Sequence, residues 1–458
     1  MPTRRIRVAP VAAMRAGFEA LRREAGVPEG FPADVLAEAS AAAQEPRGGD
    51  RVDLPFVTID PPGSRDLDQA LHIERAGAGH RLRYAIADAG AFVARGGPLD
   101  RDTRARGMTV YAPDEKAPLH PPVLSEGAAS LLPGEWRPAV LWTLEVDGAG
   151  ELRSTDVARV LVRSVAQHTY ADVPGPLETL LREVGERRLA VERARGGVRL
   201  ALPAQEVVRD ADAWTVRYEA PLPAEDWNAQ VSLLTGMAAA SLMLRAGVGI
   251  LRTQPPPSER ALERLRRQAQ ALGVAWPAGA SYAEFVRGLD ARVPAHAAVL
   301  NEATGIGAGA GYTAFDGAPP EAAEHFAVAA PYAHATAPLR RLQDRFVSEC
   351  CLAACAGVPP PGWVRAGLPE LPGAMAAATR RARVVERGVV DVVEAVLLQG
   401  REGERFEALV IDDGVVQLAD PAVRAKIDGG ICPEPGTEVA VRLDRADPAT
   451  RTVAFSIP

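Results

Sequence analysis

With 458 residues, of which 47% are hydrophobic and 24% charged, the chain can build several domains around a sizeable core. A net charge of -7 argues against a protein coated in nucleic acid, although an acidic protein can still carry a basic channel. Lys116 and Lys426 are the only lysines among 52 Lys plus Arg, so an arginine pair is weaker evidence of phosphate binding here than in an average composition.

From the N-terminus, Val11–Ala25 reads as a helix with Phe18, Leu21 and Ala25 at helical spacing. Gly26-Val27-Pro28 breaks it, and Pro32 opens a second helix through Ala43. A helix-turn-helix that binds RNA and a plain helical cap both fit this pair, whose charges balance. Gln44–Asp50 is a linker. Strands are predicted at Asp53–Asp60, Arg81–Ile86, Val140–Val146 and Asp156–Arg163. Helices are predicted at Pro176–Arg195, Glu225–Ala246, Ser258–Leu272, Pro338–Ala356 and Ala374–Gln399. Gly305–Gly311 lacks phosphate-loop spacing and reads as a loop. Phe406–Ile411, Val415–Leu418, Glu438–Leu443 and Thr452–Ile457 are short β runs separated by Asp-Asp-Gly and Pro-Glu-Pro-Gly turns. They predict a five-stranded OB-type barrel whose basic and aromatic platform is thin, with Phe406 and Phe455 its only aromatics.

No signal peptide and no apolar run of membrane length is evident, so a cytoplasmic protein without a membrane partner is expected. Cys350, Cys351, Cys355 and Cys432 lack metal-binding spacing with histidines and are expected to be free thiols.

Two constellations carry chemistry. Asp60-Pro-Pro-Gly-Ser-Arg-Asp66-Leu-Asp68-Gln69 follows the apolar run Leu54–Ile59, so a strand feeds three carboxylates into a Pro-Gly turn. Such acids repel unless a cation is present, and oxygen ligands suit Mg²⁺ or Mn²⁺. Solvated turn acids are the structural alternative. In the second constellation, Tyr332-Ala-His-Ala-Thr336-Ala-Pro338-Leu-Arg340-Arg341-Leu-Gln-Asp344, Pro338 suits the first turn of a helix and Thr336 its cap. Arg340 and Arg341 would then lie near a helix N-terminus, well placed for a phosphate. The alternative for one of them is a structural arginine paired to Asp344.

These motifs resemble the T-I-D-x5-D-x-D-D-A and Y-x-H-x-T-S-P-I-R-R-Y-x-D signatures of the ribonuclease II / ribonuclease R (RNB) family of 3′→5′ exoribonucleases. Tyr84–Asp88, Leu99–Gly107 and Ser130–Gly134 resemble shorter signatures in the same order. The resemblance implies an α+β multidomain fold. A small helical N-terminal domain would span 1–48, a large mixed α/β catalytic domain 49–400 and an OB-fold barrel 401–458. It implies that Asp60, Asp66 and Asp68 bind catalytic Mg²⁺ (Mn²⁺ as an alternative), with Asp66 and Asp68 also catalytic, and that Arg340 contacts the scissile phosphate. Tyr170 would pack on the 3′-terminal base, Glu386 would lie near the terminal ribose, and Arg341 and Tyr332 would join the RNA contacts. The implied reaction is hydrolysis of single-stranded RNA 3′ ends to 5′-mononucleotides by a monomer, with one Mg²⁺ activating water and a second stabilising the leaving oxygen.

The chain departs from the pattern at Gln69, where the family has an acid, at Ala337, at Leu342 and at Val248, where some relatives place a second base-stacking aromatic. Gln69 is expected to touch a metal weakly or through water, and Gln69→Asp to preserve activity. The segment 1–48 stands where the family carries two cold-shock barrels. The alternatives are a weakly active or non-catalytic RNA-binding relative with the same channel, and a metal-dependent DNA exonuclease.

Overall fold

The computed structural model describes residues 11–45, 48–201, 204–210, 213–219, 222–307, 309–412, 414–418, 423–428 and 433–458. Cys432 lies outside the described residues, as does the N-terminal basic segment 1–10. The chain opens with α1 (Val11–Glu24) and α2 (Ala33–Gln44), then β1 (Asp50–Ile59), β2 (Gln69–Ala76) and β3 (Gly79–Ala87). Next come α3 (Pro98–Arg106), the small hairpin β4 (Val110–Tyr111) and β5 (Lys116–Ala117), and the long strands β6 (Trp136–Val146) and β7 (Leu152–His168).

Strands β1-β2-β3-β6-β7 form a closed barrel, shut by parallel pairing of β1 with β7 from Asp50↔Val160 to Ile59↔His168. Side chains alternate along each strand, so the barrel feeds two cores. Leu82, Tyr84 and Ile86 of β3 join Trp142 and Leu144 in one. Ala85 and Ala87 join Phe56, Leu67 and Leu141 in the other. Strand β2, not expected from sequence, lies between β1 and β3.

The middle of the chain is mostly helical: α4 (Gly175–Arg195), hairpin β8 (Ala204–Asp210) and β9 (Ala213–Glu219), α5 (Pro223–Ala246), β10 (Val248–Thr253), α6 (Glu259–Ala271), α7 (Tyr282–Arg287) and α8 (Pro294–Ile306). Strands β11 (Gly311–Asp316), β12 (Glu324–His325) and β13 (Ala330–Pro331) lead to α9 (Leu342–Ala356), α10 (Gly362–Gly367) and α11 (Leu371–Leu398). Helices α5 and α9 pack Val231, Leu234, Phe346 and Val347 onto the Tyr84–Trp142 face of the barrel. Val248 is buried in that core and presents no stacking surface. Helix α1 lies along α11, with Met14, Phe18 and Leu21 against Val385, Val389 and Val392. Helix α2 packs on α3, where Glu38 accepts the Leu99 N–H at 2.8 Å. Among the described residues, no helix is long and apolar enough to cross a membrane. Cys350, Cys351 and Cys355 are free, and burial pushes the Cys350 thiol up to about 12.

The last strands, β14 (Arg405–Asp412), β15 (Val415–Leu418), β16 (Arg424–Ile427), β17 (Glu438–Asp447) and β18 (Thr452–Ser456), close a second barrel in the order β14-β15-β16-β18-β17. This is the expected OB-type fold, with β16 added to the four predicted runs. Phe406 and Phe455 are not a binding platform. They are 8% and 0% exposed and meet edge-on at 5.9 Å in the barrel core.

One predicted helix start is wrong. Helix α9 begins at Leu342, not Pro338. Residues 337–341 form a turn in which the Arg340 and Arg341 N–H groups both bond to the Ala337 carbonyl, at 3.1 and 2.9 Å. Arg341 is extended (φ -137, ψ 126), and Thr336 makes no cap. The buried Asp344 carboxylate holds the turn open by accepting the Ala337 N–H at 2.8 Å and the Arg341 guanidinium.

Gly107 ties this turn to α3 and α11. It ends α3 with φ +71, and a Cβ there would stand 2.7 Å from the Ala378 Cβ. Its carbonyl accepts the Leu342 N–H at 2.9 Å. Gly107→Ala should therefore cost roughly 1–3 kcal/mol through left-handed strain and the clash. A urea midpoint equal to that of the wild type would show that this close approach does not exist.

Candidate active site

Asp60 follows the last residue of β1 and Gln69 starts β2, so the acidic loop is the β1–β2 connection at one rim of the first barrel. It is pinned at both ends and in the middle. Asp60 N–H donates to the His168 carbonyl at 3.0 Å, and Ala87 N–H to the Asp68 carbonyl at 2.9 Å. Ser130 Oγ accepts the Leu67 N–H at 2.9 Å and donates to the Arg65 carbonyl at 2.6 Å. Leu131 N–H adds a bond to the Leu67 carbonyl at 3.0 Å, and the Leu67 side chain is buried. Anchoring this loop is the role the structure gives Ser130 and Leu131, whose purpose the sequence left unassigned.

The three carboxylates have three different environments. Asp68 is 2% exposed; its Oδ1 accepts the Leu339 N–H at 2.8 Å and its Oδ2 the Arg340 Nε–H at 2.6 Å. Burial pushes Asp68 up to about 6 against the pull of Arg340 and the Leu339 N–H. Asp66 meets Lys116 Nζ at 3.0 Å and the Tyr111 hydroxyl at 3.3 Å. Asp60 carries a buried Oδ2 without a hydrogen-bond partner. Burial and the Asp68 carboxylate push Asp60 up to about 7, with Arg340 opposing and Asp66 adding to the rise. The loop and the Arg340 turn therefore share one electrostatic centre, though among the described residues no three metal-ligating side chains gather into a single cluster.

Other expected residues divide. Tyr170 engages Asn228 and feels the charges of Asp60 and Arg340, so it stands beside the centre. Glu386 reaches it from α11: with Arg340, Tyr111, Met108 and Ala382 it lines a cavity of about 220 Å³. Arg341 also lines that cavity and is held by a structural ion pair. Nε and Nη2 donate to Asp344 at 2.9 and 2.8 Å, and Asp344 is fully buried. Tyr332 packs edge-on between His325 and His334 and fills the notch over Gly236, where a Cβ would lie 2.2 Å from its ring. Its cluster includes Tyr312, whose hydroxyl bonds His334 Nδ1 at 2.7 Å.

For Gln69, the amide nitrogen donates to the Thr336 carbonyl at 2.7 Å, and its oxygen accepts the Tyr84 hydroxyl, so both ends are engaged within the protein. It links β2 to the Arg340 turn. Lys116, Tyr111 and Glu126 were not singled out from the sequence as site residues. Lys116's rarity was the one signal available.

The RNB domain family matches residues 50–355, more than half of the chain, and the RNase II-type exonuclease C-terminal S1 domain matches residues 404–457. Ribonuclease R of Escherichia coli is 30% identical over 341 residues, covering 69% of this chain and 40% of the relative. The chain thus spans about two fifths of the length of such curated relatives. The structure resembles Mycoplasma genitalium RNase R in complex with ribose methylated single-stranded RNA, with a TM-score of 0.87 at 16% identity, covering 98% of this chain and 79% of that one. It also resembles yeast Ssd1, a pseudonuclease, with a TM-score of 0.67 at 14% identity, covering 90% and 53%.

Asp60 sets a pH dependence. A carboxyl whose folded pKa is raised above the ordinary 3.8 binds its proton more readily when folded, so stability falls as pH rises from there through about 7. In EDTA, Asp60→Asn should remove most of that fall and raise stability at pH 8 by roughly 2 kcal/mol. Parallel Tm–pH curves for the two proteins would contradict the raised pKa. Gln69→Asp replaces the donor to Thr336 with an acceptor facing a carbonyl. It should lower Tm, and an unchanged Tm would dismiss the link.

Proposed function

The chain belongs to the RNB family, and from that premise we propose that it is a hydrolytic 3′→5′ exoribonuclease acting on single-stranded RNA ends, releasing 5′-mononucleotides. The observation that carries this reading is the convergence of Asp60, Asp68 and Arg340, contributed by segments 272 residues apart, with Tyr170 and Glu386 beside them. An isolated acidic loop would be solvated; here two carboxyls are pressed into low-dielectric surroundings beside a guanidinium.

The donors fit a divalent cation. Asp60 Oδ2 is buried without a partner, and the Asp60 and Asp68 carboxylates raise each other's cost of ionisation. Hard carboxylate oxygens point to Mg²⁺ or Mn²⁺, and Asp60 and Asp68 would hold the ion. When bound, such an ion supplies Lewis-acid activation of water and charge stabilisation on the leaving oxygen.

The protein's own groups do the rest. Asp68 holds Arg340 through Nε and so aims the guanidinium, which offsets charge on the non-bridging oxygens as the phosphorus becomes five-coordinate. Water oxygen bonds to phosphorus, the bond to the 3′ oxygen of the penultimate nucleotide breaks, and that oxygen leaves with a proton. Tyr170 offers its ring to the terminal base. Glu386 accepts from the terminal ribose hydroxyls in the Arg340 cavity, which favours RNA over DNA. We place the activity in RNA turnover by a monomeric cytoplasmic protein.

A second reading, an RNA-binding relative without chemistry, draws on Gln69 and on the fold shared with a pseudonuclease. The two part on one assay. Single-stranded RNA with and without Mg²⁺ should show metal-dependent shortening from the 3′ end when 5′-labelled, metal-dependent release of mononucleotide when 3′-labelled, and little loss of a matched DNA. Asp68→Asn should reduce turnover by about 10²-fold or more while RNA binding on a filter stays within a few-fold. Wild-type protein that binds the RNA but leaves it intact would select the second reading.

A further inference from the structure

Asp66 already has a cation. Lys116 Nζ lies 3.0 Å from Asp66 Oδ1 and 2.8 Å from Glu126 Oε1, while Arg65 Nε stands 4.0 Å from the other Glu126 oxygen. The ammonium is held in place. Lys116 starts β5, and the Ala112 N–H to Glu115 carbonyl bond of 3.0 Å closes the hairpin. Arg22 Nη1 anchors the hairpin to α1 through Asp114 at 2.6 Å. The preceding Thr109 N–H donates to the Arg340 carbonyl at 2.9 Å, which ties the hairpin to the Arg340 turn.

We propose that Lys116 is a positioning residue that serves as a built-in cation, occupying Asp66 so that the centre takes one divalent ion, at Asp60 and Asp68, instead of two. This rests on the nuclease reading above. Charge balance supports it. With an ion bound and all three ionised, Asp60, Asp66 and Asp68 carry three negative charges; Arg340 and Lys116 return two, with Glu126, the other partner of Lys116, facing Arg65 at 4.0 Å. One negative charge remains. A single divalent ion turns that into one positive charge, equal and opposite to the phosphodiester it must hold; a second ion would leave an excess of three. Lysine also suits the task chemically: it is a compact point charge, in a chain that otherwise uses arginine almost everywhere.

The test is Mn²⁺ binding to the full chain without RNA, followed by the electron paramagnetic resonance signal of free Mn²⁺ after chelator stripping. Wild type and Lys116→Arg should bind one equivalent. Lys116→Met and Lys116→Gln, two uncharged variants of different polarity, should bind a second equivalent or bind the first on the order of tenfold more tightly, because the competing charge is gone. Circular dichroism identifies which variants are folded. Two equivalents on wild type would overturn the proposal, as would uncharged variants with the wild-type isotherm or Lys116→Arg behaving like Lys116→Met. If wild type binds two equivalents or the isotherms coincide while mononucleotide release stays Mn²⁺-dependent, only the Lys116 proposal falls. If no protein binds Mn²⁺ and none releases mononucleotides, the nuclease reading falls with it.

Discussion

The Asp68–Arg340 ion pair is the joint on which the site depends. It crosses 272 residues of chain, and its acid is almost wholly buried. Burying a carboxylate costs several kcal/mol, and one guanidinium contact recovers that only when the geometry is good. Here the second oxygen is also satisfied, by the Leu339 N–H, so the turn's backbone and side chain grip the acid together. Removing Arg340 would strand the Asp68 charge in the interior. The β1–β2 loop and the 337–341 turn are therefore stable as a pair, in a way neither would be alone.

Much of the surrounding structure exists to make that grip possible. Asp344 holds the turn from below, through Ala337 and Arg341, and prevents helix α9 from starting early. Ser130 and Leu131 hold the loop from the other side. Gln69 crosses from β2 to Thr336, one residue before the turn. The closed first barrel supplies the rigid rim, because parallel closure of β1 on β7 leaves no free edge on which Asp60 could shift. Preorganisation of this kind matters more for phosphoryl chemistry than any single contact, since the protein contributes mainly position and charge.

The legibility of this arrangement in the sequence was uneven, for physical reasons. Asp60, Asp66, Asp68 and Arg340 could be read because their spacing and residue types are rare together. The second barrel could be read because turn residues punctuate its strands. Strand β2 was hidden although Leu71 and Ile73 alternate with His72 and Glu74, because its first residues also belong to the acidic motif. The start of α9 was misread because Pro338 and Thr336 satisfy local rules for a helix N-terminus, and a tertiary contact from Asp344 overrides them. The hydrogen bonds of Gln69 were hidden for the converse reason. Its type suggested a weakened ligand, while its partners, Thr336 and Tyr84, are remote or in another strand and leave no local trace.

The displaced helix start changes how a phosphate can be held. Had Arg340 sat in the first turn of a helix, anion affinity would come from backbone N–H groups and the helix dipole, which attract any anion without regard to its shape. In the observed turn, the Leu339 N–H is spent on Asp68 and the Ala337 N–H on Asp344. What remains for a substrate is a guanidinium, planar and fixed in direction by Nε bonding to a buried acid. Under the proposed function, recognition depends on orientation as well as charge: a phosphodiester would present its non-bridging oxygens along the fork, with its terminal sugar toward Glu386. A free phosphate gains less from the same group.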